Sequence, residues 1–159
     1  GPNNPIGADQ VAVVAEIGAQ HFWNLPSTDE LRFEGPGTDT GGGPNRFSGA
    51  GRNPTTTTDG FATPFSWGYR LVFAPTYNSV FGTPWNMSPR LAFNHDVQGV
   101  SPGPGGPFIE DRMQATVGLN FSYLANLQVG FSYTNFFGAG INNLLSDRDF
   151  VSATVNYSF

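Results

Sequence analysis

Cysteine is absent from the 159 residues and so is lysine; the seven basic residues are all arginine. The first absence excludes disulfide scaffolds and thiol chemistry, and it suits a chain exposed to an oxidising compartment such as the periplasm. With twelve acidic side chains the net charge is -5, which argues against a nucleic-acid partner. No apolar run approaches the roughly 18 residues of a spanning helix; the longest, Val11 to Ala15, falls far short. Histidine occurs at positions 21 and 95 alone, so no transition-metal site and no other cofactor is expected. Gly1-Pro2-Asn3-Asn4-Pro5 has neither the basic nor the apolar region of a signal peptide, which is expected to have been removed or to precede a longer chain.

Glycine and proline are plentiful, at 21 and 13, and crowd between Pro26 and Pro64 and again at 101–107, so long helices are not expected. The last residues are the most telling. From Val151, apolar and polar side chains alternate strictly to the terminal Phe159, placing Val151, Ala153, Val155, Tyr157 and Phe159 on one face of a strand. Val151, Val155, Tyr157 and Phe159 resemble the C-terminal signal that hands bacterial outer-membrane β-barrels to their assembly machinery.

Alternation of period two recurs in six segments of spanning length, near 9–24, 66–79, 86–99, 111–124, 127–138 and 148–159. In the fourth, Met113, Ala115, Val117, Leu119, Phe121 and Tyr123 oppose Gln114, Thr116, Gly118, Asn120 and Ser122. Links alternate between short (81–84, 125–126) and long (25–65, 100–110, 139–147), as in barrels with short periplasmic turns and long extracellular loops. Aromatic residues gather toward strand ends, with Tyr77, Trp85, Tyr123, Tyr157 and Phe159 at one side and Trp23, Trp67, Tyr69 and Phe137 at the other. Mid-strand outward positions carry no charge. Two girdles around an uncharged band are what a bilayer selects, so the expected fold is all-β: an antiparallel, up-and-down transmembrane barrel portion in the bacterial outer membrane. Six strands are too few to close, and open edges in lipid leave backbone groups unsatisfied. The chain is therefore expected to be a single β-barrel region over 1–159, the C-terminal part of a larger barrel. The run Gly41-Gly42-Gly43-Pro44 and the threonines 55–58 make 25–65 a long extracellular loop rather than two further strands.

The stretches Pro-Arg-Leu-Ala-Phe-Asn-His-Asp-Val-Gln-Gly (89–99), Ser-Pro-Gly-Pro-Gly-Gly (101–106), Tyr-Thr-Asn-Phe-Phe-Gly-Ala-Gly (133–140) and Asp-Arg-Asp-Phe-Val (147–151) carry a resemblance. They are similar to the C-terminal part of a proteobacterial outer-membrane family filed as domain of unknown function thirteen-oh-two. The resemblance is good over 66–159 and poor before that. It implies a longer whole protein, a periplasmic lipoprotein-like partner, and an inner-membrane permease of the resistance-nodulation-division type. It implies no catalytic residues.

Alternation turns Glu16, Arg70, Arg90, Asp96, Arg112 and Arg148 toward the lumen. The plain reason is that an arginine at the lipid midplane costs about 2–4 kcal/mol. Counting back from the links also sets Arg70, Asp96, Arg112 or Gln114, and Arg148 at similar heights near the extracellular end. That arrangement predicts a transverse polar belt with Arg–Asp pairing, or an anion-favouring constriction. Phe22, Phe136 and Phe150 point inward at the same end, against an inward-folded loop or an apolar ligand, which argues against a wide general porin. His95 falls on the lipid side while Asp96 falls on the lumen side, so a Ser-His-Asn hydrolase with Ser88 or Asn86 fails on phase. The loop acids Asp29, Glu30, Glu34, Asp39, Asp59, Glu110, Asp111, Asp147 and Asp149 are solvated, or bind Ca²⁺ among lipopolysaccharide phosphates. Residues 101–107 lack the lysine and helix of a phosphate loop. The function expected is a non-enzymatic conduit or docking component for a hydrophobic or amphipathic compound; the alternative is a structural or surface-interaction barrel with a sealed lumen.

Overall fold

The structure is a computed structural model, and it describes residues 5–36 and 60–159. Six strands follow in chain order: β1 (Gln10–His21), β2 (Phe65–Thr76), β3 (Trp85–Gln98), β4 (Met113–Tyr123), β5 (Leu127–Phe137) and β6 (Phe150–Tyr157). They form one antiparallel sheet in sequential order, a six-stranded up-and-down meander. Among the described residues there is no α-helix, only two single 3₁₀ turns at Val80–Gly82 and Gly140–Asn142. The expected strands are thus present with ends shifted by a few residues. The largest shifts are at the far ends of β1 and β2, which stop at His21 and Thr76 rather than at 24 and 79, while β6 starts at Phe150 rather than at 148.

The sheet is not closed: β1 pairs with β2 and β6 with β5, and among the described residues nothing pairs with the other edge of either. Of the long connection between β1 and β2, the description covers 22–36 and 60–64. The glycine run at 41–43, the threonine run at 55–58, Asp39 and Asp59 lie outside the described residues.

Period-two sequence puts two unlike surfaces on this sheet. One face carries cross-strand rows such as Val13–Phe73–Leu91–Val117–Tyr133–Val151 and Ile17–Tyr69–His95–Met113–Phe137. No Asp, Glu or Arg stands in any row of this face, yet it is exposed: Ile17 at 75%, Val117 at 56%, Val151 at 74%. The other face is polar and bonded across strands. Thr116 and Thr134 hydroxyls lie 3.0 Å apart, Ser132 and Ser152 2.7 Å, and the Asn94 amide donates to Gln114 Oε1 at 3.2 Å.

The buried apolar side chains are not between sheet layers. Among the described residues they are Phe61, Ala62, Val100 and Ile109, with Ala8 beside the start of β1. The first four belong to a cap built from three loop pieces. The Ala62 amide donates to Phe33 O (2.8 Å), Thr63 N to Val100 O (2.9 Å), and Gly103 N to Glu34 O (2.8 Å). Thr63 Oγ1 accepts from the Val100 amide at 2.9 Å. Segment 99–112 is part of this cap.

Candidate functional site

The polar face at the end of the long connections gathers most of the charged side chains singled out from the sequence. Register places Glu16, Arg70, Asn94, Gln114 and Phe136 in one row across β1 to β5. Asp96 stands opposite Gly68, two residues along the strands from that row in unbroken register; a β-bulge interrupts the pairing only beyond it, where Trp67 faces Gln98. Arg112 sits just before β4 and meets Asp96 there. Its Nε and Nη2 both donate to Asp96 Oδ2, at 2.8 and 2.7 Å, and Nη2 also donates to Pro107 O at 2.7 Å. Asp96 Oδ2 accepts the Ile109 amide as well, at 3.1 Å. One carboxylate therefore ties the descending end of the cap to β3.

Arg90 lies apart from this group, opposite Gly118 and nearer the short-turn end. Arg148 is not in the sheet; it occupies the turn before β6, where its amide donates to Leu145 O. Phe22 follows β1 and its amide donates to Pro64 O at 2.8 Å. Phe136 and Phe150 come together, their ring centroids 6.4 Å apart. Along β6, Val151, Val155 and Tyr157 pair with Tyr133, Val129 and Leu127, and at its far end Phe159 meets Tyr157 edge-on at 5.1 Å.

Sequence reasoning missed how the cap sits on the sheet. Ser101, fully buried, donates to Gln20 Oε1 at 2.8 Å and lies 3.3 Å from the hydroxyl of buried Ser66. Both partners are polar-face residues of β1 and β2. Beside them the Phe108 ring lies over the facing glycines 18 and 68. A Cβ at 68 would stand 3.2 Å from that ring and 2.6 Å from His95 O, so only glycine lets the strand and ring approach. Two glycines at paired positions on adjacent strands were the legible signal. Asp149, named from the sequence only among the loop acids, has a local role that was not foreseen. Its Oδ1 accepts the Phe136 amide at 2.9 Å, and Oδ2 accepts the Tyr133 hydroxyl at 3.0 Å and the Asn135 amide. The Phe136 amide first, then Asn135, with a smaller part from Tyr133, hold its carboxyl below the ordinary value, against slight desolvation.

His95 is on the apolar face, its Nδ1 3.4 Å from the Tyr69 hydroxyl, whereas Asp96, Ser88 and Asn86 are on the polar face. No catalytic trio is assembled there. Glu110 accepts the Gly99 amide at 2.7 Å, and no group of three or more acids or histidines among the described residues is arranged around a metal.

The fold and this site define a class: an all-β antiparallel meander, apolar on one exposed face, polar and cross-bonded on the other, with a loop cap seated on the polar side. The chain belongs to the family described as "Protein of unknown function (DUF1302)", which matches residues 2–159 and so extends through the first 65 as well. Neither the curated proteins nor the solved structures gave a match.

Proposed function

We propose that the sheet is part of the wall of a bacterial outer-membrane β-barrel that serves as a conduit or docking component for a hydrophobic or amphipathic compound. The observation that carries this reading is the broad, exposed face without an Asp, Glu or Arg side chain, opposite a face whose polar groups bond to one another. In water such a face is an interaction surface; in a bilayer it is the ordinary exterior of a barrel. Its dimensions support the reading. The aromatic rows at the two ends, Trp85–Tyr123–Leu127–Tyr157 and Ile17–Tyr69–His95–Met113–Phe137, are about ten residues apart along β4. At about 3.4 Å per residue and about 40° tilt, that is about 26 Å of height, against an apolar band of about 25 Å in barrels. The free edges of β1 and β6 would be closed by further strands. The mechanism is passive, with energy supplied by an inner-membrane permease through a periplasmic lipoprotein-like partner, and lipopolysaccharide around the loops. No chemistry is assigned to the chain.

The test is heat-modifiability of the full-length gene product in isolated outer membranes. A faster unboiled band in that fraction supports a closed barrel; recovery in the soluble periplasm with no shift on boiling sinks it. The seating of the cap on the polar face favours a second reading, a surface-interaction barrel with a sealed lumen. Planar-bilayer conductance separates the two, because a sealed barrel carries no current.

A further inference from the structure

A cleft of about 190 Å³ opens on the polar face between β2 to β5 and the segment that precedes β6. Arg70, Asn94, Gln114 and Arg112 line it, with Phe136 and Leu145 as an apolar wall. Its two guanidinium groups are in different states. Arg112 is committed to Asp96 and to Pro107 O. Arg70 has no hydrogen-bond or ion-pair partner among the described residues, although Glu16 stands opposite it on β1. The neighbouring amides are half used. Asn94 donates to Gln114 Oε1, which leaves the Gln114 amide hydrogens free to donate.

We propose that this cleft binds the carboxylate head of an amphipathic molecule, a deepening of the conduit reading on which it rests. An unpaired guanidinium presents a planar fork that matches a carboxylate with two parallel hydrogen bonds. The Gln114 amide supplies a further donor. A dianionic phosphate is disfavoured, because the lining holds one uncommitted cation and the Asp96 carboxylate already occupies the other. The cleft is smaller than the about 300–1,000 Å³ that enclose a drug-sized ligand. It therefore grips a head and leaves the tail outside, along the Phe136–Phe150 pair whose rings are 6.4 Å apart. Glu16 sets the threshold, since its charge opposes any anion that approaches Arg70.

The experiment is titration calorimetry of the purified full-length protein in lipid nanodiscs with octanoate, octanol and octyl phosphate, beside Arg70→Gln, Arg70→Lys and Glu16→Gln. Saturable binding of octanoate is expected, with octanol and octyl phosphate weaker. Arg70→Gln weakens octanoate by about tenfold or more, Arg70→Lys less so, and Glu16→Gln strengthens it by about two- to fivefold. Octanoate bound no better than octanol by the wild type, or equally by wild type and Arg70→Gln, overturns the proposal, as does a preference for octyl phosphate. Each protein is also run unboiled and boiled. A shift in the wild type with binding indifferent to Arg70 removes the headgroup site alone; no shift in the wild type removes the barrel reading and this site with it. Should Arg70→Gln lose its shift, Glu16→Gln and the octanol comparison decide.

Discussion

At the scale of single residues, Asp149 shows how one exposed carboxylate can order a strand end. It caps the Phe136 amide and collects Asn135 and the Tyr133 hydroxyl, all ahead of its own strand. Because its folded carboxyl titrates below the ordinary 3.8, its contribution is complete above that value and disappears as pH falls through the lowered one. Amide resonances of Phe136 and Asn135 are therefore expected to stay fixed at neutral pH and to move only below about 3.8. Asp149→Asn should abolish the movement. A midpoint above 3.8 in the NMR titration would refute the clamp. His95 is the complementary case: alternation alone put it on the opposite face from Asp96, and its neighbours are Tyr69 and Phe93.

The elements divide into strands that the sequence announces and a cap that it hides. Strand faces are legible because a side-chain period of two is local; Met113 to Tyr123 can be sorted by eye. Heights across strands are less so. Asp96 stands opposite Gly68, two residues along from the row of Arg70, and Glu16 entered that row although the count from the links had left it out. The cap depends on contacts distant in sequence, Ser101 with Gln20 and Phe108 over Gly18, which no local pattern encodes. Asp96 holds its descending end through Arg112 and the Ile109 amide. Asp96→Ala leaves the Arg112 guanidinium without its carboxylate, at a cost of about 1.5–3 kcal/mol to the closed cap. Limited proteolysis within 99–112 should then run about ten- to hundredfold faster, while the boiling shift of the whole protein persists. An unchanged digestion rate would show that the serine contacts at Ser101 suffice.

Across the whole molecule, the decisive property is which face meets which solvent. Val117 stands mid-strand on the apolar face, opposite Leu91 and Tyr133. In a bilayer, Val117→Arg should cost about 2–4 kcal/mol of unfolding free energy, and Asn120→Arg on the polar face much less. Denaturant titration of both variants refolded into lipid vesicles reads the difference; equal effects would mean that the apolar face does not contact lipid. The open edges were equally legible, since six strands fall short of the smallest barrels. What covers β1 and β6 was not, because edge strands carry their pairing information in backbone groups common to every residue.

The position of the buried apolar side chains has a calorimetric consequence. Heat capacity rises on unfolding in proportion to the apolar surface that passes from a dry interior into water. Here Phe61, Ala62, Val100 and Ile109 of the cap, with Ala8, are the described residues that would make that passage. If the apolar face rests on hydrocarbon, as proposed, before and after its strands come apart, it adds almost nothing. Its stability curve against temperature would then be unusually flat, with cold and heat alike acting first on the cap.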